Sequence, residues 1–429
     1  MTFLKTSLLN GIAVLFKLLT LLGINKILAV YVGPAGYAAL GQFQNAVQMI
    51  TTFGSGAINT GVTKYTAEYD GDEEKQHRVW STAGTIVFFS SVVVGLLIAL
   101  FNRSLAAWFL KDEAYGGVFL WFAASLLLFT LNAMLLAILN GKKDIPRYVL
   151  ANISGSVFAL LVTAVMTVMF GLYGALVALA IYQSLAFFVT LLLCIKAPWF
   201  RIASLFGRID KTTALNLGKF TLMALVSAIV VPLSQILVRN HLGEHHGWVA
   251  AGYWEASWRL STAYLMVLTT TLSVYFLPRF SEIKSARELT SEVLLGYKFI
   301  VPATIVIGVV LYALRDWVVV ILFSSEFYEM RDLFFWQIIG DTLKVLSWVL
   351  AYVMTARALW KPYIIGELLF GASFYGWVVV FDQYGAVGAT MAHAMNYLLY
   401  FIFVFVVLKR HKVFSLKADD DNRFAGGKS

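Results

Sequence analysis

A dozen apolar segments, each long enough to cross a bilayer, succeed one another along this chain, near 8–32, 36–63, 80–101, 115–140, 148–170, 173–195, 214–239, 250–278, 293–314, 327–356, 362–381 and 384–408. A crossing helix needs about 20 apolar residues, whereas a barrel strand needs only about 10 that alternate. Runs of this length predict an all-α, polytopic membrane protein of about twelve transmembrane helices, because a helix satisfies every backbone N–H and C=O within its own segment. Composition agrees: 60% of the 429 residues are hydrophobic and 13% charged, about half the charged content of an ordinary water-borne domain.

The net charge of +9 follows a topological pattern. Alternate loops collect basic residues, among them Lys64, Lys75 and Arg78; Lys142, Lys143 and Arg147; Lys196, Arg201, Arg208 and Lys211; and Lys409, Arg410 and Lys412. The intervening loops hold only Arg103, Lys111, Arg239 and Arg315. This bias predicts that both termini face the cytoplasm. Nucleic acid is not an expected partner, since no basic cluster with interleaved aromatics lies outside the short loops. The first apolar run contains Lys17 and lacks a small-residue cleavage site, so it reads as an uncleaved helix. Cys194 stands alone, which leaves no intrachain disulfide or thiolate metal site to expect.

Short matches divide the chain into two halves. Ala35-Gly36-Tyr37 recurs as Ala251-Gly252-Tyr253, 216 residues on, and Tyr173-Gly174-Ala175 as Tyr384-Gly385-Ala386, 211 on; Pro146-Arg147-Tyr148 parallels Lys361-Pro362-Tyr363. The expected organisation is an N-lobe over 1–195, a cytoplasmic linker over 196–213, a C-lobe over 214–408 and a disordered cytoplasmic tail over 409–429. A six-helix repeat keeps its orientation, so the lobes are expected to be related by a pseudo-two-fold axis along the membrane normal.

Ionisable residues inside the apolar runs mark function, since each costs about 2.5–3.5 kcal/mol at mid-bilayer. They are Lys17 and Lys26, Glu255 and Arg259, Arg331 and Asp332 as a helix-entry pair close to the outer surface, Asp341 and Lys344, and Glu367. Gln44, Gln48, Thr52, Ser55 and Asn59 follow one another by three or four residues, as do Glu255, Arg259, Thr262, Thr269 and Ser273, and Gln337, Asp341, Lys344, Trp348, Tyr352 and Thr355. Such spacing aligns each set on one helix face, and a polar face must look onto other helices or water. Two readings stay open for the charges: they line a pathway, or Glu255–Arg259 and Asp341–Lys344 neutralise each other as helical neighbours. Lys17 and Lys26, nine residues apart, point half a turn from each other.

Other signals are weaker. His241, His245 and His246, with Glu244 the nearest acid, read as a solvated outer loop and not as a metal site. Pro232 is a candidate kink and hinge. No phosphate-binding glycine loop followed by Lys-Ser/Thr occurs, and no catalytic set lies in a sizeable water-exposed portion, so the chain reads as a transporter and not an enzyme, without cofactor.

The run from Met330 to Lys344 (MRDLFFWQIIGDTLK), the stretch from Lys219 to Leu225, the Gly33-Pro34-Ala35-Gly36 turn and Gly61-Val62-Thr63-Lys64-Tyr65 together resemble the polysaccharide-transporter branch of the multidrug/oligosaccharidyl-lipid/polysaccharide exporter superfamily, the branch of the enterobacterial common antigen and O-antigen flippases. The resemblance covers the chain to about Lys412. It implies a V-shaped pair of six-helix lobes around a central cavity. It also implies translocation of an undecaprenyl-diphosphate-linked oligosaccharide from the cytoplasmic to the periplasmic leaflet by alternating access.

An anionic, hydrated headgroup calls for fixed cations and hydrogen-bonding side chains. Lys17, Arg259, Lys344 and Lys26 are the expected phosphate ligands; Gln44, Gln48, Asn59, Trp258, Trp348 and Tyr352 the expected sugar contacts; Asp341, Glu255 and Glu367 the candidates for coupling to H+ or Na+. Membrane lipids and the polymerase and chain-length proteins of the same pathway are the expected partners. Two rivals share these features in part. A cation-coupled drug exporter of the same superfamily would favour acidic over basic cavity residues, and a glycan polymerase would need a larger outer loop.

Overall fold

The computed structural model describes residues 3–357, 359–411 and 413, without the side chains of 3–10, 13, 219, 220, 222, 223, 271, 273, 274, 277 and 278. The part of the expected disordered tail from 414 onward lies outside the described residues, as do the side chain of Ser273 and part of the stretch from Lys219 to Leu225. Among the described residues all regular structure is helical, and the expected all-α membrane fold is what the chain forms.

The α-helices run α1 (Phe3–Gly54), α2 (Asn59–Glu68), α3 (Glu73–Leu100), α4 (Asn102–Leu110), α5 (Gly116–Gly141), α6 (Ile145–Ile195), α7 (Lys211–His246), α8 (Trp248–Thr271), α9 (Leu277–Glu282), α10 (Ala286–Ala313), α11 (Arg315–Leu322), α12 (Phe334–Ala356), α13 (Trp360–Val380) and α14 (Gly385–Arg410). Nine described segments are long and apolar enough to span. Two of these are double. α1 has 52 residues and breaks at Gly33 (φ 71°, ψ 178°), next to Pro34; α6 has 51 and breaks at Gly171 (φ 56°, ψ −136°). At 1.5 Å per residue each would run about 75 Å unbroken, more than twice the roughly 30 Å hydrocarbon thickness. Resolving each into two crossings, and adding the 24-residue α8 with its Glu255 and Arg259, gives the twelve expected.

The chain forms two compact units, Met1–Ile236 and Leu237–Ser429. In the first, α5 packs along α6, α1 and α3, over a core that includes Trp80, Met134, Phe187 and Phe200. Trp80 is fully buried and its indole N–H donates to Thr66 Oγ1 at 2.9 Å. The basic stretch after α6 is not a free strand of chain. Its short 3₁₀ turn, Ile202–Leu205, lies on α3, where Thr85 Oγ1 donates to the Gly207 carbonyl at 2.9 Å and the Asp210 N–H to Thr82 Oγ1 at 3.2 Å. Gly84 permits this contact, since a Cβ there would stand 1.8 Å from the Leu205 carbonyl oxygen.

In the second unit α12 is the central element, packed on α14, α10 and α8, with Val345, Val349, Val353 and Leu408 in its core. Outward faces of both units are apolar: Leu100 is 73% and Phe299 65% exposed, an arrangement that lipid solvates and water would not.

Two sequence expectations need correcting here. Arg239, placed in an outer loop by its spacing, lies inside α7 and is buried. His241, His245 and His246, read as a solvated loop, form the last turns of the same helix. The apolar run hid this continuation because histidine and arginine lower local hydropathy without ending a helix; Gly247 at φ 88° ends it.

Candidate functional site

Helix α12 has apolar flanks, yet its Gln337–Asp341–Lys344–Trp348 face is turned inward, onto α8 and α14. Asp341 has no exposed surface. Its carboxylate accepts from donors on three helices: His393 Nε2 of α14 at 3.0 Å, Gln337 Nε2 of α12 at 3.2 Å and the Tyr264 hydroxyl of α8. A buried carboxylate is tolerable only when so solvated by protein donors. Gly340 makes room for the histidine, because a Cβ there would meet His393 Cδ2 at 2.2 Å.

One turn further along, Lys344 extends into a box of aromatic rings. Its ammonium stands 4.8 Å from the Trp258 ring centre, 4.9 Å from Trp348 and 5.6 Å from Tyr397. Negative ring faces stabilise a cation by about 0.5–2 kcal/mol each where water is scarce. His393 links the two groups, since its ring meets Trp258 edge-on at 5.2 Å and Tyr397 at 4.9 Å.

Trp258 also joins this cluster to a second one. Glu255, 3% exposed, accepts from Arg239 Nε at 2.8 Å through one oxygen and from Arg259 Nε at 2.7 Å through the other. Arg239 lies 5.5 Å over the Trp254 ring, and Trp254 is 5.5 Å from Trp258. Within one unit, three side-chain cations thus face two carboxylates along a short tryptophan ladder. The excess of positive charge suits an anionic group. The Asp341–His393 pair is a place where a proton can be held or moved.

The remaining sequence candidates are distributed as follows. Lys17 is exposed on α1 and lines a cavity of about 240 Å³ with Thr20, Asn132, Asn152, Tyr182 and Gln183, all within the first unit. Lys26, half-buried, is not part of that lining, as its half-turn offset predicts. Gln44 and Gln48 are exposed on α1, but the face they begin does not reach Asn59 unbroken. α1 stops at Gly54, and Gly56 and Ala57 at φ 62° and 53° turn the chain before Asn59 opens α2. Asn45, between the glutamines, is buried and donates to the Pro232 carbonyl at 3.2 Å and Gln235 Oε1 at 3.0 Å. Tyr352 is half-buried further along α12. Glu367 is half-buried on α13.

His393, Tyr264, Tyr397 and Arg239 were not among the sequence candidates. A signal existed for His393, an ionisable ring in the middle of an apolar run and flanked by alanines. The tyrosines carried none, since tyrosine is common in membrane helices.

The profile of the family described as "Polysaccharide biosynthesis protein" matches residues 33–332. The chain is 31% identical over 404 residues to the lipid III flippases of Escherichia coli (strain K12) and Shigella flexneri, covering 94% of this chain and 97% of theirs. Among solved structures it is similar to an inward-facing multidrug resistance MATE family transporter of the MOP superfamily, with a TM-score of 0.77 at 14% identity over 92% of this chain and 94% of that one. It is also similar to the lipid II flippase MurJ in an inward closed conformation, with a TM-score of 0.72 at 14% identity over 95% and 87%. The structural likenesses establish the fold, and the sequence matches establish kinship: the chain belongs to the polysaccharide biosynthesis protein family, alongside the lipid III flippases.

Proposed function

We propose that this chain is a flippase, not an enzyme, that moves an undecaprenyl-diphosphate-linked oligosaccharide across the bacterial inner membrane by alternating access, with both termini in the cytoplasm. The observation that carries the reading is the nearly end-to-end relationship to proteins named lipid III flippase. The chemistry of the second unit supports it. A diphosphate needs cations that cannot retreat to the interface, and Lys344 and Arg259 are fixed by aromatic rings and by Glu255. Sugar hydroxyls and their apolar ring faces suit Trp258, Trp348 and Tyr352, with Gln44, Gln48 and Asn59 as hydrogen-bonding groups of the first unit. In the first unit, Lys17 and Lys26 are phosphate candidates of their own, on opposite sides of α1, with Lys17 at the cavity it lines. Asp341, with His393, Glu255 and Glu367 are the groups through which H+ or Na+ would couple to transport.

Proteoliposomes that hold the protein and a lipid-linked oligosaccharide with a fluorescent reporter test the reading. The protein is expected to expose the inner-leaflet substrate to a membrane-impermeant quencher faster than empty vesicles do. If flipping is no faster than in empty vesicles while a fluorescent organic cation is exported, the chain is a drug exporter and the reading is wrong. Interaction with a polymerase or chain-length protein belongs to the same proposal and would be seen by co-purification from native membranes.

A further inference from the structure

The last turns of α7 and the 3₁₀ turn before α14, Asp382–Tyr384, meet within the second unit. There Asp382 receives three histidines of one helix. His241 Nε2 and His246 Nε2 each donate to Oδ1 at 2.8 Å, and His245 Nδ1 stands 4.0 Å from Oδ2. The potential ligand atoms of His241, His245 and Asp382 all lie within 4.8 Å of one another. We propose that these three side chains bind a divalent transition-metal ion of the zinc class, with His246 holding the carboxylate in place.

The ligand chemistry fits. His241 and His245 are four residues apart and so share a helix face. Their rings stack at 4.3 Å with 19° between planes, which sets both nitrogen edges beside the same carboxylate. Two imidazoles and a carboxylate are a borderline-hard set that suits Zn2+, Co2+ or Ni2+ better than Ca2+ or Mg2+. At bond lengths of about 2.0–2.1 Å, tetrahedral ligand atoms lie roughly 3.3 Å apart. The separations here bracket that value, so side-chain adjustment alone can close the site around an ion, and water can fill the fourth position. Imidazole nitrogens that now hold N–H toward Asp382 bind metal after the proton shifts to the other ring nitrogen.

The site is also built, not merely assembled from loose surface groups. His241 is buried, with its ring edge-on to Tyr375 at 5.9 Å. Gly243 is pressed under Trp248, where a Cβ would meet the indole at 2.7 Å, and Gly247 at φ 88° ends the helix directly after the triplet. Gly385 at φ 56° brings the backbone of α14 to His246. Yet His245 and Asp382 remain 54% and 35% exposed, which leaves an approach for the ion. Its consequence is mechanical: a bound metal ties the end of α7 to the turn before α14 with coordinate bonds in place of the single His241–Asp382 hydrogen bond, while that of His246 remains.

The test uses the full chain, purified in detergent with any affinity tag removed and stripped of metal, titrated with Zn2+ against a chromophoric chelator and with Co2+ for its visible spectrum. One equivalent is expected to bind with a tetrahedral Co2+ band, and Zn2+ is expected to raise the Tm. His245→Gln, at a half-exposed position that tolerates substitution, and Asp382→Asn are expected to abolish both effects, whereas His411→Gln leaves them intact. His246→Gln, which removes only an outer hydrogen bond, is expected to weaken binding roughly 10-fold or more. Sub-stoichiometric binding by the unaltered protein, or binding that His245→Gln and Asp382→Asn both retain, would overturn the proposal. Neither outcome bears on flipping, which the proteoliposome assay reads separately.

Discussion

Gly171 and Gly385 hold nearly the same unusual backbone conformation, φ 56° with ψ −136° in one and −132° in the other. Gly33 and Gly247 form a second such pair, at φ 71° and ψ 178° against φ 88° and ψ 152°. The offset, 247 minus 33 and 385 minus 171, is 214 in both cases. Gly174 and Gly388 keep it too, and each lies against a backbone carbonyl where a Cβ would clash, at 1.9 and 2.1 Å. The internal repeat is therefore real at the level of torsion angles, and its register is 214, not the 216 and 211 that short sequence matches suggest. Letter identity favoured Tyr-Gly-Ala; the backbone aligns Gly-x-x-Gly-Ala instead.

Substituting these glycines should separate two costs. Gly171→Ala adds a methyl group into open space, and Gly385→Ala places one at ordinary contact distance, so each is expected to cost only torsional strain, about 1–3 kcal/mol. Gly174→Ala and Gly388→Ala have no positive φ but a carbonyl in the way, and are expected to lower the detergent-solubilised Tm further than their partners three residues earlier. Gly376→Ala, free of both constraints, serves as the unchanged control. Equal Tm values across all five variants would remove the argument.

How much of this was legible in the residues varies with the physics. Helix number and the inward face of α12 follow from hydropathy and a 3.6-residue period, both local. The partners of that face do not. Asp341 finds His393 through a contact 52 residues distant, and Glu255 finds Arg239 across the turn between α7 and α8. Spacing showed that Glu255 and Arg259 share a face but not that a second arginine competes for the same carboxylate. The repeat offset adds a contrast that neither half reveals alone. At 214 residues, Asn25 and Asn45 stand where the second unit has Arg239 and Arg259, so the arginine pair belongs to one half alone.

Just before the spanning helix α3, a helix cap gives a pH signature. Asp72 caps α3, accepting the Lys75 N–H at 3.0 Å and pairing with its ammonium at 2.8 Å. These bonds to Lys75 hold the carboxyl below its ordinary value of 3.8. A depressed folded-state pKa adds stability that is complete above the unfolded value and is lost as pH falls through the folded one. Amide exchange of Lys75 and Gln76, corrected for intrinsic rates, is therefore expected to be flat from neutral pH to about 5 and to accelerate below 3.8. In Asp72→Asn, which still accepts the N–H but carries no charge, that acceleration should be absent.

The arginine pair around Glu255 predicts an ordering of stabilities. Glu255→Gln leaves two guanidinium groups in a buried site without their counter-charge, a loss of about 3–5 kcal/mol. Arg239→Gln is expected to cost more than Arg259→Gln, because Arg239 is 1% exposed against 10% for Arg259 and loses its place over Trp254 as well. Thermal unfolding in detergent reads the order. An Arg259→Gln variant as damaging as Arg239→Gln would mean that both arginines are structural, and would remove Arg259 from the proposed phosphate ligands.

Lys344 and Asp341 separate a transport role from a packing role. Lys344→Met keeps an unbranched stem among Trp258, Trp348 and Tyr397, and a thioether packs well against aromatic rings. It is expected to fold with a Tm close to the parent while flipping falls at least ~10-fold, because a fixed cation facing a diphosphate is worth about 1.5–3 kcal/mol per charge-assisted hydrogen bond. Asp341→Asn behaves differently. Asparagine offers one acceptor where three donors converge and turns an N–H toward His393, Gln337 or Tyr264, so both Tm and transport should fall. His393→Gln, which keeps a donor for Asp341 but cannot take up a proton near neutral pH, should retain the Tm better than Asp341→Asn. If Asp341–His393 carries the coupling proton, His393→Gln flips substrate without response to an imposed pH gradient; a response equal to that of the parent would assign coupling elsewhere, with Glu367 of α13 the next residue to substitute.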